Sequence, residues 1–189
     1  EPTLESYNID PSKIEADFVI VKVSEGTGYE NPYWRDQVRL ALSAGKLVGL
    51  YHYAIGGASM EAQANYFVTL VRSYENGALI GQAVLFLDWE DGSLPVSDVG
   101  AAKEWLDAVK STTGVTPLIY MNQSTANGHD WSSVRNAGYK LWLSQYLYSN
   151  YDPVNGIDGY RENPNKGSYQ YGAWGQDSTI YQYTSTGRL

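Results

Sequence analysis

Five short runs of apolar and β-branched residues, most of them separated by amphipathic stretches, leave this chain very few architectures. The runs fall at 17–23 (DFVIVKV), 47–53 (LVGLYHY), 82–89 (QAVLFLDW), 116–121 (TPLIYM) and 140–145 (KLWLSQ). Near-continuous hydrophobicity, rather than strict alternation, marks strands buried on both faces. Between them, 32–44 carries Pro in its first turn and stops at Gly45, which predicts a helix. The stretch 58–74 places Ala62, Tyr66, Leu70 and Val71 on one stripe, and 96–113 does the same with Val99, Ala102, Leu106 and Val109 before stopping at Gly114. Repeated strand–helix–strand units mean a parallel sheet covered by helices. An open doubly wound sheet favours a glycine-rich phosphate loop after an early strand. Here the first run leads into SEGTGYENP, which has neither G-x-G-x-x-G spacing nor a P-loop. The expectation is therefore an α/β fold of TIM-like barrel type, with functional residues where strands end and loops begin. A last short strand is expected at 179–183. The Gly-, Asn- and Tyr-rich stretch before it, 149–175, reads as a rim loop or extra short strands.

Composition narrows the function. The 189 residues suit one domain whose core needs no staple, and the absence of cysteine removes thiol nucleophiles, Cys-based zinc sites and iron–sulfur clusters. The formal charge of −8 speaks against nucleic acid, whose phosphates want a cationic face. The apolar runs fall far short of the ~20 residues that span a bilayer, so no membrane partner is expected. Position 1 is Glu, and no basic segment followed by an apolar one marks a signal peptide. The unusual entry is aromatic: 17 Tyr and 6 Trp stand against 3 Phe. Tyr and Trp keep one polar atom each, which suits half-wet concave surfaces of the kind that bind sugars through C–H faces and hydroxyl edges.

The densest chemistry lies at Leu87-Asp88-Trp89-Glu90-Asp91, where an apolar strand ends in two carboxylates separated by one aromatic. Residues i and i+2 of a strand share a side, so Asp88 and Glu90 project together with Cα atoms about 7 Å apart. At that separation each charge disturbs the other and pushes one carboxyl toward staying protonated. A protonated and an ionised carboxyl side by side are what glycosidic cleavage needs. The same spacing also fits ordinary solvated acids at a strand end, or a Mg²⁺ or Ca²⁺ site built with Asp91. Other strand ends deliver Glu25, Tyr51, Tyr53, Tyr120, Trp142, Tyr146 and Gln182, an acidic, amide or aromatic group at every expected strand. His52, inside an apolar run, reads as a hydrogen-bonded core residue, and His129, in a polar loop, as a solvated one. No G-x-S-x-G elbow is present, and two histidines leave little for a Ser–His–Asp or metallohydrolase constellation.

At these residues the chain resembles the glycoside hydrolase family 25 lysozymes, the Chalaropsis-type muramidases found among phage endolysins and bacterial autolysins. The likeness runs in order through DFVIVKVSEGTGYENP, GKLVGLYHYA, LDWED, PLIYM, LWLSQY and YQYTSTGRL, and LDWED placed after YHYA is its most specific part. It implies an irregular (β/α) barrel of about five βα units with closing antiparallel strands. It implies hydrolysis of the β-1,4 bond between N-acetylmuramic acid and N-acetylglucosamine, on the bacterial cell wall, after secretion or phage release. Glu90 maps to the family's general acid and Asp88 to the residue that orients or stabilises the substrate's 2-acetamido group. Glu25, Tyr51, Tyr53, Trp89, Tyr120, Trp142, Tyr146 and Gln182 are then expected to line the groove. Peptidoglycan is the expected partner, with no metal or other cofactor and a monomeric state. Family members open on a G-[IV]-D strand and close on a D-x-[DN] segment, each bearing an active-site Asp. Residues 1–189 begin just after the first and stop just before the second, which predicts a single catalytic domain lacking both pieces. A non-catalytic glycan-binding module on the same scaffold and a metal-dependent carbohydrate hydrolase or deacetylase are the rival readings.

Overall fold

The computed structural model describes residues 9–146 and 170–182. Strands β1 (Phe18–Glu25), β2 (Tyr29–Glu30), β3 (Leu47–Tyr53), β4 (Val84–Asp88), β5 (Leu118–Asn122), β6 (Lys140–Ser144) and β7 (Ile180–Gln182) form one sheet in the order β2-β1-β3-β4-β5-β6-β7. All neighbouring pairs are parallel except β2, which turns back against the end of β1. Helices α1 (Trp34–Ser43), α2 (Met60–Ser73) and α3 (Val99–Thr113) are the crossovers expected from the sequence, and two short helices, α4 (Gln123–Gly128) and α5 (Ser132–Asn136), join β5 to β6. The result is a mixed α/β fold with a curled, half-barrel sheet. One implied detail takes a different form: β7 runs parallel to β6, and among the described residues the only antiparallel member is β2. Most of the 149–175 stretch, and Tyr183 of the last expected strand, lie outside the described residues.

Strand alternation gives the sheet two different faces. Val19, Val21, Val48, Leu50, Leu85, Leu87, Ile119, Met121, Leu141 and Leu143 point to the helices and are buried. Facing them are Val38 of α1, Phe67 and Val71 of α2, and Trp105, Leu106 and Val109 of α3, which close a single apolar layer. The other, concave face carries Lys22, Tyr51, Tyr53, Phe86, Asp88, Leu118, Tyr120, Trp142 and Ser144. That face is apolar where the strands begin and polar where they end. At its lower end a hollow of about 160 Å³ is lined by Phe18, Ile20, Leu47, Gly49, Val84, Phe86 and Ile180.

His52 belongs to the helix-facing layer, as its setting in the sequence suggested. Its ring stacks on Trp105 at 5.6 Å and is fully buried, with Nδ1 2.9 Å from the Ser24 hydroxyl and Nε2 3.1 Å from Gln63 Oε1. Burial pushes its pKa down to about 4, partly offset by the Gln63 hydrogen bond. The folded protein therefore binds this proton less readily than the unfolded chain does.

Residues 171–174 are pinned to the edge of this layer by a turn. The Gly172 amide donates to Asn127 Oδ1 at 2.7 Å, and the Trp174 indole donates to the Tyr139 carbonyl at 2.9 Å. Gly172 has φ +52°, and a Cβ there would lie 1.9 Å from the Ala126 carbonyl oxygen. Gly172→Ala is expected to lower unfolding free energy by at least about 2 kcal/mol, read from urea unfolding. The stability advantage of the wild type over His52→Gln, a residue that hydrogen-bonds without titrating here, is expected to shrink as pH falls from about 6.5 toward 4. The loss reaches up to about 3 kcal/mol, measured by the same unfolding at each pH.

Candidate active site

The parallel registers place one inward residue of each strand on a single row. Glu25 pairs with Tyr53, Tyr53 with Asp88, Asp88 with Tyr120, Tyr120 with Trp142, and Trp142 with Ile180. Neighbouring strands lie about 4.8 Å apart, so the row is a continuous floor across the C-terminal end of the sheet. Tyr51 stands one rung below it, paired with Lys22 and Phe86. Gln182 stands one rung above, paired with Ser144, and donates from its amide to the Tyr146 hydroxyl at 2.8 Å. Tyr146, just past β6, is exposed.

Glu25 reaches the row through an irregularity. The β1–β3 register slips by one residue between Lys22 and Ser24, so Val23 is an extra residue on β1. Ser24 then pairs with His52 on the helix side, and Glu25 pairs with Tyr53 on the concave side. Without that bulge Glu25 would point at the helices.

The carboxyl pair sits in the middle of the row. Asp88 is buried, and its Oδ1 has no hydrogen-bond partner among the described residues. Burial, reinforced by the nearby charge of Glu90, holds its pKa well above the carboxylate range, while the Lys22 charge opposes this. Glu90, two residues on and at the mouth, is also raised by burial and by Asp91. A hydrogen bond from the Tyr120 hydroxyl pulls it back. Tyr120 is itself hydrogen-bonded to Ser144 and stands edge-on to Trp142 at 4.6 Å. The Trp142 indole nitrogen is buried and unpartnered among the described residues, like Asp88 Oδ1. Asp91, by contrast, is a loop-building acid: it accepts from the Ser93 amide at 2.8 Å and from the Tyr53 hydroxyl at 3.2 Å, and its pKa is lowered.

Nine of the ten residues named from sequence thus lie at or beside one crevice. Trp89 does not. The alternation that brings Asp88 to the concave face sends Trp89 to the helix layer, where its ring is fully buried and its indole donates to the Val96 carbonyl at 3.1 Å. It offers no face to a ligand. Lys22 was not among the residues named from sequence, although a lysine inside the otherwise apolar FVIVKV is the signal that marks it. Among the described residues no group of three or more His, Asp or Glu is placed to hold a metal ion. No described helix is long and apolar enough to cross a membrane.

A helix-backed parallel sheet with a raised carboxyl pair at the end of a central strand, flanked by aromatic side chains, has the build of a glycosidase. Comparison with known proteins agrees. The family model of the glycosyl hydrolases family 25 matches residues 8–189. The N,O-diacetylmuramidase of a Chalaropsis species is 29% identical over 181 residues, which cover 89% of this chain and 80% of its own. A lysozyme from Streptomyces coelicolor superposes with a TM-score of 0.66 at 20% identity, over 95% of this chain and 80% of its own. The catalytic domain of an endolysin from a Listeria monocytogenes bacteriophage superposes with a TM-score of 0.59 at 26% identity, over 95% and 79%. The chain belongs to glycosyl hydrolases family 25 and is a glycoside hydrolase.

Tyr120→Phe removes the hydroxyl that favours ionised Glu90. The Glu90 carboxyl is therefore expected to titrate at higher pH in that variant, as followed by carboxyl-carbon NMR across the pH range.

Proposed function

We propose that this chain is an N-acetylmuramidase that hydrolyses the β-1,4 bond between N-acetylmuramic acid and N-acetylglucosamine in peptidoglycan. The observation that carries the reading is the Asp88–Glu90 pair, one buried and one at the mouth, on a row of aromatic and polar side chains. The muramidase, lysozyme and endolysin among its similar proteins support the substrate class. Peptidoglycan lies outside the cell membrane, so the site of action is the bacterial wall, reached by secretion or phage release. The assignment treats the chain as one catalytic domain working as a monomer.

Glu90 is the general acid. Its raised pKa favours the protonated form, and its exposure lets it reach the glycosidic oxygen. Protonation of that oxygen breaks its bond to the anomeric carbon, and the leaving sugar departs with a new hydroxyl. Asp88, in its ionised form, stabilises the positive charge that builds on the remaining sugar or orients the 2-acetamido group toward it. Water then adds to the anomeric carbon and returns a proton to the site. Glu25, Tyr51, Tyr53, Tyr120, Trp142, Tyr146 and Gln182 hold the glycan by stacking and hydrogen bonds.

Glu90→Gln is expected to lower reducing-end release from purified peptidoglycan by about 10²- to 10⁴-fold with the fold intact. Near-normal release would remove Glu90 from the acid role. A wild-type protein that sediments with the wall and releases nothing would be a binding module instead.

A further inference from the structure

The buried lysine of β1 is unabsorbed by this account. Lys22 lies on the concave face with only 8% of its surface exposed, one rung below the row that holds Asp88. Its Nζ is 2.8 Å from Glu25 Oε2, 5.0 Å from the centre of the Tyr53 ring and 5.2 Å from that of Tyr29. A buried ammonium is costly unless paired, and this one is held by a carboxylate and two aromatic faces together. The ion pair and the Tyr29 contact depend on the Val23 bulge. The bulge puts Lys22 and Glu25 on the same face three residues apart, whereas regular alternation would set Ser24 there.

We propose that Lys22 is a positioning residue that biases the proton shared by the carboxyl pair away from Asp88 and toward Glu90. This rests on the hydrolase reading above. The bias follows from placement. Lys22 packs against Tyr53, whose register partner is Asp88, so the cation stands on the buried, Asp88 side of the pair, while Glu90 faces the mouth. Asp88 alone would be the wrong member to ionise, because burial favours its neutral form. A nearby ammonium opposes that preference, and its charge acts on Asp88 in the required direction. Among the described residues, the charged and titratable groups around it are Glu25 from β1, Tyr29 from β2, Tyr51, His52 and Tyr53 from β3, and Asp88, Glu90 and Asp91 from β4 and its following loop. His52 is neutral above its pKa of about 4, and burial with the neighbouring carboxylates pushes the Tyr53 phenol up, which leaves Lys22 and the carboxyls. The same grip fixes Glu25 and Tyr53 as one wall of the crevice, a second way in which it pre-organises the site.

The test compares wild type, Lys22→Met and Lys22→Arg, each labelled at Asp and Glu carboxyl carbons and titrated by NMR without substrate. In Lys22→Met the Asp88 carboxyl is expected to titrate at higher pH than in wild type, and kcat/KM for peptidoglycan to fall about tenfold or more with its acidic limb moved to higher pH. Lys22→Arg keeps the charge and is expected to keep the wild-type Asp88 titration. An Asp88 titration unchanged in Lys22→Met overturns the proposal, and so does one that moves equally in Lys22→Arg. If Lys22→Met does not fold, Lys22→Gln carries the same comparison. Because the titration is read on the free protein, it stands apart from the hydrolase reading, which fails only if wild type releases no reducing ends.

Discussion

A parallel strand has to serve two surroundings with one alternating set of side chains, and everything in this protein hangs on how β1 and β3 to β6 do so. Every second residue meets the helices and is apolar, except Ser24 and His52, whose polar atoms are satisfied by each other and by Gln63. The residues between them meet the concave face, and there the chain is free to place chemistry. The polar groups gather at the C-terminal ends because each strand exits there into a loop, where a carboxyl or hydroxyl can be reached from solvent. The helix-facing layer supplies the hydrophobic stabilisation, and the concave face spends little of it on function.

The electrostatics of the crevice follow from depth. Asp88 and Glu90 are chemically alike and two residues apart, yet one lies on the floor and the other at the mouth. Floor burial favours a neutral carboxyl, and a charged neighbour favours it further. Two neighbours bear on the pair differently: the Tyr120 hydroxyl lowers the pKa of Glu90, and the Lys22 charge lowers that of Asp88. Asp91, third in the same run, is held in its loop by Ser93 and the Tyr53 hydroxyl and bears on Glu90 through its charge.

Much of this was legible in the residues. The run 47–53 is β3 without adjustment, and α3 ends at Thr113 where Gly114 takes a left-handed φ of 74°. Long periodic segments announce themselves because many residues must agree. The elements that escaped are short and polar: β2 has two residues, α4 and α5 have six and five, and none has room for a period. The crevice was legible for the same reason as the strands, since i and i+2 fix a shared side. That rule, applied one residue further, also removes Trp89, whose closeness to the acids along the chain hides its opposite direction in space. Lys22 and Glu25 were less legible, because three residues apart they share a face only through a bulge that no local pattern declares.

That bulge has a consequence for how such a site changes over generations. Loss of the Val23 codon would leave Ser24 opposite His52 and Glu25 opposite Tyr53 in regular pairing, with the crevice wall unchanged. A one-residue slip that keeps Val23 and draws it into pairing with His52 would instead set Ser24 opposite Tyr53 and turn Glu25 to the helices, with Phe18 to Lys22 still paired as before. Loop insertions give enzymes gradual variation, but a slipped strand gives an all-or-none choice between two walls.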